Sequence, residues 1–323
     1  MRKFLIRRLL MMIPLLLGIS ILSFLIMHLA PGEPAALDVA MNTKVDPSYI
    51  QKLQAFYEID KPLHIQYWHW LKRLATLDFG LSFKDNRPVL RVILERLPAT
   101  LVLSGLSEIL LFLIAVPLGI MAAYYQNSLY DRFVTVFSFI GYSTPAFWIS
   151  LLLMLLFGVQ WGVLPVSGMF GNDADFLPWY GKLWDFAQHL ILPLCVTTYG
   201  GLASISRYAR TSMLEVIRQD YIRTARAKGL SEFNVIFHHA LPNALIPIVT
   251  LVGLSLPGFI GGSVIIESIF SWPGMGRLSY EAILSHNYPL IMGTVIIVAL
   301  LTILGNLLAD ISYSLLDPRI KYD

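Results

Sequence analysis

Residues 9–29, 100–124, 133–159, 188–206, 243–266 and 289–311 form six apolar runs. A hydrocarbon core about 30 Å thick takes roughly 20 residues of α-helix, and each run meets or approaches that length. Backbone amides in lipid have no water to bond, so only helices and closed barrels satisfy themselves there, and runs of this length select helices. With 56% hydrophobic and 14% charged residues over 323, at a mean hydropathy of +0.65, the chain is too apolar for a soluble globular domain. The expectation is an all-α membrane protein with six transmembrane helices. The fourth run carries Gln188, His189, Pro193 and Gly200-Gly201, which reads as a helix surrounded by other helices.

Charge sets the orientation. Four Lys/Arg precede the first run, one falls in residues 126–132, six in 207–242 and two after the sixth run, whereas the short segments 160–187 and 267–288 hold one each. The positive-inside rule then puts both termini in the cytoplasm. Segment 30–98 holds nine basic and eight acidic residues and is long enough to translocate regardless of charge. The first run is longer than a signal-peptide core of about 7–15 residues and reads as a retained helix. The expected organisation is residues 1–29 as N-terminus and first helix, 30–98 as an extracytoplasmic segment, 99–311 as the membrane core with a cytoplasmic loop at 207–242, and 312–323 as a cytoplasmic tail. The net charge of +3 follows from this topology, and no nucleic-acid surface is needed.

Within 30–98, Ile65, Trp68, Leu71 and Leu74, with Tyr67 and Trp70 adjacent, give a helical stripe after Lys61-Pro62. That segment either meets a solute-delivering partner and covers a pathway, or packs the outer ends of the helices. Pro14, Pro117, Pro145, Pro193, Pro247 and Pro257 are expected to bend their helices, and Gly258 to Gly262 has Gly-x-x-x-Gly spacing for close packing. The single cysteine, Cys195, excludes intramolecular disulfides and a cysteine metal cluster and reads as a small apolar packing residue.

The cytoplasmic loop carries the most specific local signals. Asp220 is the expected N-cap of a helix of about two turns, and Gly229 its left-handed stop. Tyr221, Ile222 and Ala225 share one face, beside the charged Arg223, Arg226 and Lys228. Ser231 caps a second helix that continues past Leu241-Pro242 into the fifth span. This segment either inserts its small apolar face into a partner's cleft or lies on lipid headgroups.

DYIRTARAKGL from Asp220, IDKPLHIQYWHWL from Ile59, DFGLS from Asp78, ESIFSWPGMGR from Glu267 and NLLADISYSLLDPRI from Asn306 together resemble the permeases of bacterial ABC importers of the dipeptide/oligopeptide/nickel class. The first-span RRL and the APGEP at 30–34 extend the likeness over nearly the whole chain. Arg223, Thr224 and Ala225 align with the importer loop's Glu-Ala-Ala, followed by Gly229, His239, Leu241 and Pro242. Arg223 and His239 depart from the general pattern and agree with its peptide subclass, whereas Pro242 stands where that subclass often has Arg. The resemblance implies that Asp220, Tyr221, Arg223, Thr224, Ala225, Arg226, Gly229, Leu241 and Pro242 couple the chain to ATPase subunits. It also implies a paralogous permease beside this one, two ABC ATPases binding ATP and Mg²⁺, an extracytoplasmic solute-binding protein, and residence in the bacterial inner membrane. Relatives carry dipeptides, longer peptides, nickel chelates or glutathione, and no stretch here chooses among them.

Glu108, near mid-bilayer in the second run, either lines a pathway or is protonated and bonded to Ser104 one turn away. Glu267 and Arg277 are expected to close the outer Pro-Gly turn as an ion pair, and Asp310 to meet Arg319 or Lys321. The chain has no Gly-x-x-x-x-Gly-Lys-Ser/Thr loop, so it cannot itself be the ATPase, and no cofactor is expected in it. The competing classes are a secondary transporter, for which internal repeats and several coupling acids would be expected, and an intramembrane protease, whose motifs do not occur.

Overall fold

The computed structural model describes residues 2–29 and 61–316, and the regular elements among these are helical, apart from an isolated bridge between Leu81 and Pro88. In chain order they are α1 (Arg2–Leu29), α2 (Leu63–Ala75), α3 (Val89–Tyr124), α4 (Leu129–Ser143) and α5 (Ala146–Leu153), which runs on as a π-turn to Gln160. There follow α6 (Trp179–Ile217), α7 (Asp220–Ala227), α8 (Glu232–Ser255), α9 (Val264–Ile269), α10 (Met275–Leu284) and α11 (Tyr288–Leu316). Residues 30–34 and 317–319 of the motif pattern lie outside the described residues, as do Arg319 and Lys321.

Helices α3, α6, α8 and α11 are each long and apolar enough to cross a membrane, and α4 with α5 forms a fifth such stretch bent by 99°. The apolar part of α1, Leu10–Ile26, is shorter. Three differences from the expected runs have local causes. The third run is not one straight helix. Thr144 sits before Pro145 in an extended conformation (φ −92°, ψ 125°), because a proline clashes with a helical residue in front of it. The fourth run is the middle of a helix that takes in both flanking segments from 179 to 217. The fifth run ends at Ser255, where a 3₁₀ turn over Leu256–Phe259 holds Pro257. Of the six prolines expected to bend their helices, Pro145 and Pro257 stand at these breaks, and Pro14, Pro117, Pro193 and Pro247 remain inside continuous helices.

Helix α3, about 54 Å long at 1.5 Å per residue, is the mast of the fold. Its first turns, Val89, Val92 and Ile93, pack with Phe24 of α1, Trp70 of α2 and Leu278 and Leu290 of α10 and α11. Its middle, Ala99 and Leu103, packs with Leu192 and Val196 of α6 and with Phe270 and Trp272. Its last turns, Ile120 and Ala123, meet Met213, α7 and the start of α8. Pairing of α3 with α6 is the most extensive helix contact. It depends on small residues: a Cβ at Gly119 would stand 2.2 Å from the Ser206 carbonyl oxygen, and one at Gly201 would stand 2.5 Å from Leu111. The Gly258–Gly262 pair does not pack helix on helix, because it lies in the 3₁₀ turn and the bend after it: Gly258 has open space around it, and Gly262, at φ +66°, admits the Glu267 carboxylate, 2.4 Å from where a Cβ would stand.

The α2 stripe is rotated from expectation. Tyr67, Trp70 and Leu74 face the core while Trp68 is exposed, and Tyr67 shares a 2.8 Å hydrogen bond with buried Ser20 of α1. Segment 61–98 thus packs on the ends of α1 and α11. Asp310 of α11 pairs with Arg8 of α1, a partner not foreseen. Cys195 points out of α6 rather than into its packing.

Candidate functional site

Helix α7 stands on the end of the bundle formed by α3, α6 and α8. Gln219 is its N-cap, in an extended conformation (φ −71°, ψ 150°), and Asp220 is its first residue instead of the cap. There Asp220 lies 3.4 Å from Arg223, and its negative charge favours the positive end of the helix. At the other end Gly229 adopts φ +79°, its N–H bonding the Arg226 carbonyl at 2.9 Å while the Leu230 N–H reaches back to Ala225 at 3.4 Å. This pair of bonds is a Schellman cap. The Ser231 hydroxyl then accepts the Asn234 N–H at 3.4 Å to start α8, and Arg226 spans the turn to Glu232 at 2.7 Å.

Ile222 and Ala225 are 0% and 7% exposed. They pack on Ile120, Ala123, Met213, Val235 and Ile236 of the same chain. Of the apolar face assigned to a partner, Ile222 and Ala225 are therefore consumed internally and Tyr221 stays outward; covering one side chain the size of Ile222 stabilises by about 1.5–3 kcal/mol. Tyr221, Arg223, Thr224 and Lys228 form the outward face. Tyr221 is steadied by Asn243, whose amide donates to its hydroxyl at 3.1 Å. Sequence reasoning passed over two neighbours: Phe233, 64% exposed, and Phe237 lie against each other on α8 with ring centres 4.5 Å apart and planes tilted by 32°. Their i, i+4 spacing, on the face of the helix away from Val235 and Ile236, was the available signal. Leu241 and exposed Pro242 continue α8 without a break, after a π-turn over Val235–Ala240 that precedes the proline lacking an N–H donor.

At the opposite end of α3, Glu267 is buried. Its Oε1 accepts the Thr100 hydroxyl at 2.9 Å and its Oε2 accepts the Arg277 backbone N–H at 2.9 Å. The expected Glu267–Arg277 ion pair does not form. The Arg277 guanidinium turns instead to Glu281, one turn along α10, at 2.7 Å. Thr100 also accepts the Met275 N–H at 2.7 Å, and the Trp272 indole donates to the Ala99 carbonyl at 2.9 Å. Gly274 has no room for a side chain, since a Cβ there would lie 2.4 Å from the Glu267 carboxylate. Burial pushes the Glu267 carboxyl above the ordinary carboxylate range, against the hydrogen bonds that pull it down. Glu108 is half-buried on α3, and its carboxylate bonds neither the Ser104 hydroxyl nor any other described side chain. The structure does not bring it to Glu267.

Residues 115–322 match the family described as the binding-protein-dependent transport system inner membrane component, and residues 1–104 match its N-terminal companion. The chain belongs to this family. It is 43% identical to the oligopeptide transport system permease protein AppB of Bacillus subtilis over 100% of both chains. It is 38% identical to the dipeptide transport system permease protein DppB of Escherichia coli K12, over 100% of this chain and 99% of that one. A solved chain from inward-facing conformations of the MetNI methionine ABC transporter shares the fold, with TM-score 0.50 and 19% identity over 69% of this chain and 96% of that one.

One further feature of this inner membrane component is an open groove of about 720 Å³ between α4 and α6, lined among others by Ser138, Phe139, Tyr142, Ser204, Arg207 and Arg210. At its edge Asp131 takes Nε and Nη2 of Arg210 at 2.7 and 2.8 Å and the Asn127 N–H at 2.9 Å. Asp131 and Arg210 stand 79 positions apart, so no local pattern announced the pair. Among the described residues no group of three or more His, Cys, Asp or Glu side chains is arranged to hold a metal ion.

Proposed function

We propose that this chain is one of two permease subunits of an ATP-driven importer of short peptides in the bacterial inner membrane, with six spans and both termini cytoplasmic. The reading is carried by full-length identity to permeases named for oligopeptide and dipeptide transport. Counting α1, the bent α4–α5 pair and the four long helices gives six spans. The second permease is a paralogue, and the α4/α6 groove lies on the pathway between them. Two ATPase subunits, which bind ATP and Mg²⁺, dock on the outward face of α7 and the Phe233–Phe237 pair. A solute-binding protein delivers substrate at the opposite side. ATP-driven approach of the ATPases moves the rigid α7–α8 corner, and with it α3 and α6, so access alternates by tilting of whole helices. Glu108 is a pathway candidate, because an intramembrane acid without a protein partner is best accommodated by water.

Reconstitution tests the function. The chain with its sister permease, ATPases and binding protein should import a labelled dipeptide only with ATP, and import without the ATPases would replace this reading with a secondary transporter. Single cysteines in a Cys195→Ala background test topology in intact cells. An impermeant thiol reagent should label position 172 or 86 and spare 127 or 231, and the reverse pattern would invert the chain. Glu108→Gln should alter uptake while ATPase docking persists, and unchanged uptake would remove Glu108 from the pathway.

A further inference from the structure

We propose that the α4/α6 groove carries a carboxylate-binding subsite, in which Arg207 holds the free carboxyl terminus of the passing peptide; this rests on the peptide-importer reading above. The groove, about 720 Å³, falls within the roughly 300–1,000 Å³ of small-molecule sites. Two guanidiniums from α6 line it, three residues apart and so on neighbouring positions of one face. They are not equivalent. Arg210 is neutralised by the bidentate bond to buried Asp131. Arg207 has no carboxylate partner among the described residues, and its guanidinium carbon lies 5.8 Å from the centre of the Phe139 ring. An aromatic face steadies a cation without neutralising it. One positive charge therefore remains uncompensated in the opening.

The surroundings match one end of a peptide. A peptide carboxyl terminus, with a pKa of about 3.3–3.7, is ionised at neutral pH, and a planar guanidinium takes a carboxylate through two parallel N–H bonds. Tyr142 supplies a hydroxyl on the same wall for the amide groups behind that carboxylate, while Ser204 donates to the Gly201 carbonyl at 2.9 Å and Ser138 is bonded to Ser206 at 3.2 Å, leaving their oxygens as acceptors. The hold is weak enough to release, because Arg207 is exposed and the groove is open. A lipid phosphate offers Arg207 the same anionic oxygens, and the experiment separates the two sources.

The test uses the whole transporter in proteoliposomes with saturating binding protein, and follows uptake of a labelled dipeptide, ATP turnover and subunit co-purification. Arg207→Gln should lower uptake on the order of tenfold, the loss of one charge-assisted bond. ATP turnover and co-purification should stay at the parent level, and Arg207→Lys should recover most of the uptake. The defect should be equal in vesicles of phosphatidylcholine alone and in vesicles that also contain phosphatidylglycerol. A defect confined to the anionic vesicles assigns Arg207 to lipid and overturns the subsite. Loss of co-purification in Arg207→Gln assigns it to assembly and overturns it equally. Peptide import insensitive to Arg207→Gln overturns this inference alone, whereas a parent transporter that imports no peptide overturns the importer reading with it.

Discussion

Thr100 donates its hydroxyl to Glu267 at 2.9 Å, joining α3 to α9 across 167 positions of sequence, and the same oxygen accepts the Met275 N–H at 2.7 Å. Removing it leaves a buried N–H and a buried carboxylate oxygen each short of a partner. Thr100→Val should therefore cost about 1–3 kcal/mol and lower the melting temperature in detergent, whereas Thr100→Ser should hold close to wild type. Equal melting of the valine variant would show that the Pro-Gly turn is held by packing alone.

Glu267 gives the network a pH dependence of known sign. Burial raises its folded-state pKa above the ordinary 4.5, so the folded chain holds this proton more tightly than the unfolded chain does. The associated stability is fully present below pH 4.5 and is lost as pH rises through the folded-state value. Glu267→Gln cannot titrate. The melting temperature of wild type should thus fall relative to that of Glu267→Gln as the pH is raised from 4.5, and a difference constant with pH would contradict the shift.

The Asp131–Arg210 pair ties α4 to α6 beside the groove. Asp131→Asn would leave the Arg210 charge half-buried without its counter-ion, at a cost of about 3 kcal/mol. Asp131→Leu combined with Arg210→Met should recover part of that loss, because replacing both charges leaves none uncompensated. Melting curves of Asp131→Leu, Arg210→Met and the double decide this, and a double variant less stable than either single would refute it.

Local chemistry was legible and long-range orientation was not. The Gly229 stop and the Ser231 cap are written into three or four adjacent residues, so spacing alone located them. The six apolar runs were visible for the same reason, and Pro145, expected to bend its helix, stands at the break of 99° in the third, whose size the run length alone did not show. The rotation of α7 was illegible, because an apolar face of Ile222 and Ala225 is satisfied equally by a partner or by Ile120 and Met213 of the same chain. The partner of Asp310 was missed because Arg8 lies at the far end of the chain, whereas Glu281, four residues after Arg277 on one helix, was legible as an i, i+4 pair and was passed over for Glu267.

That inward rotation of α7 divides the coupling variants into two kinds. Gly229 holds φ +79° with no atom crowding its Cβ position, so Gly229→Val is opposed by backbone strain of about 1 kcal/mol or more and not by a clash. The strain acts on the Schellman cap and shifts the corner between α7 and α8. Gly229→Val should leave the permease inserted and paired with its sister subunit while uptake is lost. Ala225→Glu is different, because it forces a charge among Ile120, Met213 and Ile236, and should lower the amount of folded permease recovered. Arg223→Glu and Phe233→Ala change only exposed groups, so the permease should fold normally and retain less ATPase in pull-down. Ser231→Ala should cost only about 1 kcal/mol of helix capping. Normal docking and fully coupled ATP turnover in Gly229→Val, Arg223→Glu and Phe233→Ala together would sink the assignment of this corner as the ATPase contact.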